Sequence, residues 1–271
     1  GFFNPDFNDN DWKTIPVPSQ WELKGYGVPI YAPFHMPPSL RKNNLPNIDP
    51  NDNPVGEYRR HFNISREWMD REVYIQFDGV CSAFYLWING QFVGYSQDSM
   101  LPAEFYLSPY LKEGDNLLAL EVFRYSDGSY LENQDMWFLS GIFRPVRLIA
   151  RSKVCIRDFS LRSNFIQPFS QVELLVTVDL IQHKPILEGE LNAHLQIDLV
   201  KNGEIIQSQR VTSLFDQNEI VQTEINLLVE NPLLWSAEVP DLYDVILCLT
   251  DESGNILDVR QAHHGFRKVE I

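Results

Sequence analysis

The chain has 271 residues, with 22 Lys plus Arg against 37 Asp plus Glu, a formal net charge of −15 and a pI near 4.7. A nucleic-acid binder needs a basic footprint to displace counterions and a protein docked on anionic lipid needs the same sign, so neither partner is expected; nor is there a run of about 18 apolar residues to span a bilayer. The 44% hydrophobic and 13% aromatic content excludes global disorder, and the length suits two domains of ~150 residues or one large β domain.

Residues 14–54 carry nine prolines, from Pro16 to Pro54, which forbid helix and interrupt strands. Trp21, Tyr26, Tyr31 and Phe34 stud the same stretch, so an ordered loop draped over a sheet is expected there. Period-two alternation then begins. Tyr58, Phe62 and Ile64 form one apolar set and Val73, Ile75 and Phe77 another, with one helical turn capped by Ser65 between them. Ala83 to Ile88 is apolar at every position, as in a strand buried between two layers. It ends at Asn89-Gly90, a hairpin signal because a type I′ turn needs positive φ at both positions. Strands are also expected at Leu117–Phe123 and Val146–Ala150.

A second half starts near Lys153. About seven strands are expected in it, including Val154–Ser163, the alternating sets Val172 to Leu180 and Leu191 to Leu199, and 204–212, 220–229, 242–250 and 255–263, with a turn at Lys201-Asn202-Gly203. That spacing is the arithmetic of a two-sheet sandwich of immunoglobulin type, although no Cys-Trp-Cys pattern is present. The first half, with longer strands and excursions, suits a jelly roll. The expected fold is therefore all-β, with a jelly-roll sandwich over 1–152 and an immunoglobulin-like sandwich over 153–271. Cys81, Cys155 and Cys248 are too few and dispersed for a disulfide framework or zinc site and are read as buried free thiols. They leave the compartment open between cytoplasm and periplasm.

Particular strings carry the reading further. DGVCSAFYLWING at 78–90 and DGSYLENQDMWFLSGIFR at 127–144 resemble the N-terminal sugar-binding domain of glycoside hydrolase family 2 β-galactosidases, and VPSQWELKGYG at 17–27 looks like its entry segment. NPLLWSAEVPDLY at 231–243 and Gly265-Phe266-Arg267 resemble the end of the family's immunoglobulin-like second domain. The resemblance implies a third domain, a (β/α)₈ barrel with two catalytic glutamates beyond residue 271, working by a retaining mechanism with carboxyls about 5–5.5 Å apart. A start at Gly1 without Met and an end at Ile271 then fit a two-domain piece that is inactive alone. Galactoside substrate, the chain's own barrel and copies of itself in a homo-oligomer are the implied partners.

The resemblance assigns Asp135 to the galactose 6-hydroxyl and to a sodium ion; a hard alkali cation prefers oxygen ligands, and one carboxylate can hold both. From the residues alone, Asp135 reads instead as a loop Asp accepting backbone N–H bonds. Cys81 stands where the better-known members carry a substrate-touching Asn, and a thiol cannot reproduce an amide's two donors and acceptor. Asp127, in Asp127-Gly128-Ser129-Tyr130, is either a turn residue or part of a divalent site for the magnesium the family implies. Trp137 is a candidate for approaching ligand, whereas Trp87 and Trp235 read as packing. Neither sodium, magnesium nor galactose is expected to bind the isolated chain. His263 and His264 point to opposite faces of a strand and cannot chelate one metal together. Asp49 to Asn53 fails as a calcium loop, having Pro54 at its sixth position. A free-standing carbohydrate-binding module and a β-glucuronidase or β-mannosidase of the same family are the competing functions.

Overall fold

The computed structural model describes residues 1–31, 40, 46–132, 134–166, 170–183, 191–215 and 220–269. Phe34 and most of the central proline-rich stretch lie outside these residues. The chain divides into two compact units, Gly1–Ala150 and Arg151–Ile271.

The strands of the first unit are β1 (Ile30–Tyr31), β2 (Val55–Ile64), β3 (Glu72–Phe77), β4 (Val80–Cys81), β5 (Ala83–Ile88), β6 (Gln91–Gln97), β7 (Ala103–Tyr106), β8 (Gly114–Phe123), β9 (Trp137–Phe138), β10 (Gly141–Ile142) and β11 (Val146–Arg151). They form a four-stranded sheet β2-β8-β5-β6, a three-stranded sheet β11-β3-β7, and the ribbons β1-β9 and β4-β10. Alternation explains the core between the two main sheets: Ile75 and Phe77 from one meet Phe84, Leu86, Ile88, Leu118, Leu120 and Val122 from the other. Asn89 and Gly90 sit at φ 51° and 82° and reverse the chain between β5 and β6, as the Asn-Gly pair predicts. Asn89 also donates to Asn116 Oδ1 at 2.8 Å, and fully buried Asn116 donates to the carbonyls of Lys112 and Gly114, so the polar groups at this turn are partnered.

Two local readings need correction. The helical turn forms as α1 (Arg66–Met69) with Ser65 at its N-cap, but the Ser65 side chain makes no capping bond. More consequentially, β5 is not enclosed on both faces. Phe84, Leu86 and Ile88 are buried, whereas Tyr85 on the other face is exposed and Trp87 is half-buried. That outer face is covered at one corner by the N-terminal segment. Phe3 stacks on Trp87 at 5.0 Å between ring centroids, and Arg59 ties the segment down by donating to Asp9 Oδ2 at 2.7 Å and to the Asn4 carbonyl at 2.9 Å. The all-apolar composition of β5 thus reflects an aromatic outer surface rather than a second layer.

The second unit contains β12 (Val154–Ile166), β13 (Gln171–Gln182), β14 (Leu191–Lys201), β15 (Glu204–Phe215), β16 (Ile220–Glu230), β17 (Tyr243–Thr250) and β18 (Ile256–His264). Sheets β12-β13-β16 and β15-β14-β17-β18 are antiparallel throughout. Val172, Leu174, Val176, Val178 and Leu180 are fully buried against Leu195, Ile197, Leu199, Val245, Leu247 and Leu249. Of the thiols, Cys155 is buried while Cys81 and Cys248 are only partly so, and all three are free. His264 turns to Ser163 and His263 to Asp244, on opposite faces as expected. Trp235 is a packing residue, with the Arg267 guanidinium 4.9 Å from its ring centroid. Among the described residues no helix is long and apolar enough to cross a membrane.

Candidate functional site

The segment from Ser126 to Ser140 carries most of the candidate residues. It opens with a 3₁₀ turn over Asp127–Tyr130, in which the Ser126 amide donates to Ser129 Oγ at 3.0 Å and the Ser129 amide donates to the Ser126 carbonyl at 3.0 Å. Asp127 is exposed, and its Oδ1 accepts from the Gly128 amide at 2.9 Å. Glu132 then anchors the segment to the β6–β7 connection: its two oxygens accept from the Ser99 amide at 2.9 Å and the Ser99 hydroxyl at 2.6 Å. Such a two-point, charge-assisted contact fixes where the following residues emerge.

Asp135 emerges exposed, with Oδ1 accepting from the Tyr31 hydroxyl at 2.7 Å. The ribbon β1-β9 sets this up, because Tyr31 pairs with Trp137 and their rings lie 5.4 Å apart. The hydrogen bond to the Asp135 carboxylate raises the Tyr31 phenol above its ordinary 10.0 and keeps it a donor at neutral pH. Trp137 is 56% exposed, which leaves much of its indole open.

Cys81 pairs with Gly141 across β4-β10. Gly141 is required there: its φ is +110°, and a Cβ would stand 3.0 Å from the Tyr58 hydroxyl oxygen and 3.2 Å from the Ser19 carbonyl. Burial pushes the Cys81 thiol up to about 11, against a hydrogen bond with Ser99 that pulls the other way. Cys81 is therefore a neutral, weakly polar group near pH 7, not a nucleophile. Cys81, Ser99, Glu132 and Trp137 all line one cavity of about 280 Å³, as do Arg124 and Ser140. Asp135 and Asp127 are outside its lining.

The fold thus brings Cys81 and Trp137 to one cavity and Asp135 to its flank through Tyr31, with Asp127 apart from the three. Reading the sequence alone misses Tyr31, Ser99 and the buried pair Glu22–Arg124. Arg124 Nη2 lies 3.7 Å from Glu22 Oε1 and donates to the Val28 carbonyl at 2.9 Å, while Glu22 Oε2 accepts from the Ser140 amide at 2.9 Å. Glu132 sits inside the DGSYLENQDMW string and Glu22 inside VPSQWELKGYG, so both lie in stretches that the sequence singles out.

As a metal site the arrangement is incomplete. Among the described residues no group of three or more His, Cys, Asp or Glu side chains is placed to hold an ion. Asp135 brings one exposed carboxylate with one oxygen engaged by Tyr31, which suits a single ligand in an oxygen shell completed from elsewhere.

Comparison with known proteins fits this picture. Residues 4–152 match the family described as glycosyl hydrolases family 2, sugar binding domain, and residues 154–267 match glycosyl hydrolases family 2. Over 279 aligned positions the chain is 43% identical to a β-galactosidase of Vibrio cholerae, covering 99% of this chain and 26% of that protein. It is 41% identical to a β-galactosidase of Priestia megaterium, again covering 26% of the relative. The chain therefore spans about a quarter of the length of these curated relatives. Its fold is shared by a Bacteroides uniformis β-glucuronidase, with a TM-score of 0.82 at 19% identity over 98% of this chain and 30% of that one. With family matches running through both units and curated relatives aligned over nearly its whole length, this chain belongs to glycoside hydrolase family 2.

Proposed function

We propose that the chain is the N-terminal two-domain region of a β-galactosidase, shaping the substrate pocket of a barrel that carries both catalytic glutamates and is not among these 271 residues. The observation that carries this reading is identity of 41–43% to β-galactosidases along the entire chain while covering only 26% of each. The exposed Asp135, steadied by Tyr31 beside an open indole, supports it. In this reading Asp135 reaches the galactose 6-hydroxyl and gives sodium one oxygen ligand. Asp127, exposed at the start of the same segment, gives one to magnesium, and the whole enzyme assembles as a homo-oligomer. Cys81 and Trp137 line the substrate side of the cavity.

The test is an assay of the whole protein on nitrophenyl β-galactoside, β-glucuronide and β-mannoside, with Asp135→Asn alongside. The expected result is preference for the galactoside and a loss in kcat/KM for Asp135→Asn of roughly a hundredfold, about 2.7 kcal/mol. Preference for the glucuronide, or an Asp135→Asn enzyme equal to the parent, overturns the assignment. An open reading frame ending near Ile271 would instead favour a free-standing binding module.

A further inference from the structure

The ribbon β1-β9 carries Tyr31 and Trp137 and, through the Tyr31 hydroxyl, steadies Asp135. Only two residue pairs join its strands, Ile30 with Phe138 and Tyr31 with Trp137. Even a full two-stranded hairpin is marginally stable by itself in water. Burial adds little, because both rings stand exposed. The ribbon is therefore held by groups outside its own ladder.

Arg124 is placed to do so. It follows β8 directly, and its amide donates to the Pro54 carbonyl at 2.9 Å, which continues the pairing of β8 with β2 in the main sheet. Its guanidinium is buried. Nη2 donates to the Val28 carbonyl at 2.9 Å, ahead of β1, and to the Phe138 carbonyl at 3.4 Å, within β9. One nitrogen thus reaches both sides of the ribbon. Its charge is answered by Glu22, whose Oε1 lies 3.7 Å away and whose Oε2 accepts from the Ser140 amide at 2.9 Å, just past β9. The Trp21 amide donates to the Ser140 carbonyl at 3.0 Å beside it. An apolar pair of the same volume is often as stable as a buried ion pair, so stability alone does not account for this one. What an apolar pair lacks is a donor for two carbonyls and an acceptor for an amide, and all three of these backbone groups belong to the ribbon or flank it.

We infer that Arg124 is a positioning residue: its two carbonyl bonds fix the β1-β9 ribbon to the main sheet and so set where Tyr31, Asp135 and Trp137 stand, while Glu22 keeps its charge at depth and holds the ribbon's exit at Ser140. The consequence for substrate rests on the function proposed above; the tether does not.

Arg124→Met combined with Glu22→Gln removes the guanidinium without leaving a buried charge unpaired. In the 271-residue chain, NMR of this double variant should show most of the cross-relaxation between the Tyr31 and Trp137 rings lost; their centroids are 5.4 Å apart in the parent. The core contact of Phe77 with Phe84, at 4.9 Å, should stay as it is. In the whole enzyme, kcat/KM on nitrophenyl β-galactoside should fall about tenfold, and far less on nitrophenyl α-L-arabinopyranoside, which has no 6-hydroxyl. If the double variant does not fold, Arg124→Lys takes its place with the same directions expected, since it keeps a cation beside Glu22 but not the planar fork. A ribbon contact intact beside an intact core overturns the inference. So does loss of both contacts together in Arg124→Lys, which would make Arg124 a general core residue. Parental kinetics on both substrates overturns the positioning role. A lost ribbon contact with equal kinetic losses on both substrates supports the tether and counts against Asp135 meeting the 6-hydroxyl, so the two failures are told apart.

Discussion

The two units solve the same packing problem differently. In the second, strands of 8 to 13 residues alternate so regularly that one continuous apolar core forms between two sheets, and the polar residues face outward. The first has shorter strands, two-residue ribbons, a buried ion pair and an aromatic outer face. Regular alternation leaves little space for chemistry, because every inward position is spent on core and every outward one on solvent. Irregular connections hold polar groups at depth and leave concave surface, and that is where every candidate site residue of this chain is found.

The largest expected effect tests whether the ion pair is part of the first unit's core. Arg124→Met leaves the fully enclosed Glu22 carboxylate without its counter-charge and should destabilise that unit by about 3–5 kcal/mol, read by urea unfolding. Adding Glu22→Gln should recover much of the loss. No recovery would mean that Arg124 acts through its bonds to the Val28 and Phe138 carbonyls rather than through charge. The matching change in the second unit is Leu195→Ala, a fully buried residue set between Val211 and Leu249 on the neighbouring strands. It should cost about 2–5 kcal/mol by creating a cavity. Of the six tryptophans only Trp235 lies in this unit, so a Trp235→Phe background reports the first unit alone and should show its transition unmoved.

These two changes also separate what the amino-acid pattern disclosed from what it did not. Leu195 is legible as core because apolar residues recur at every second position around it, and the same is true of Val172 to Leu180. The Asn89-Gly90 turn is legible because local chemistry decides it. Glu22 and Arg124 are not: no local period marks them, and a charged residue is ordinarily a surface residue. Trp87 misleads for the opposite reason, since an apolar outer face covered by Phe2 and Phe3 has the composition of a buried one. In the candidate site, the DGSYLENQDMW string draws attention to Asp135, but the Tyr31 partner lies 104 positions away and becomes visible only when β1 pairs with β9.

A pH titration should divide the units from the opposite ends of the scale. In the first, burial raises Tyr58 to about 12 and Cys81 to about 11. Each contributes stability that is fully present below its ordinary value, 10.0 or 9.0, and lost as pH rises toward the folded one, on the order of 2 kcal/mol for Tyr58. In the second unit, burial holds His264 below 6.5 and hydrogen bonds from Asn255 hold Asp251 below 3.8. Their contributions are present above those ordinary values and lost as pH falls through the folded ones. Urea midpoints should therefore fall first for the first unit above about pH 9 and first for the second below about pH 6.5. Coincident loss at both ends would remove the distinction.

The smallest effect is the most specific to the proposed site. Tyr31→Phe keeps the ring against Trp137 and removes only the hydroxyl that donates to Asp135. Tyr31 is 49% exposed, so stability should change by less than about 0.5 kcal/mol. If the hydroxyl merely decorates the surface, nothing further follows. If it holds Asp135 in position, the whole enzyme should lose about tenfold in kcat/KM on nitrophenyl β-galactoside, comparable to one hydrogen bond to a charged group at about 1.5 kcal/mol. The loss should vanish on nitrophenyl α-L-arabinopyranoside, which has the same ring hydroxyls but no 6-hydroxyl for Asp135 to meet. An equal loss on both substrates would place Tyr31 in general packing of the loop, and no loss on either would leave Asp135 positioned by the Glu132–Ser99 anchor alone.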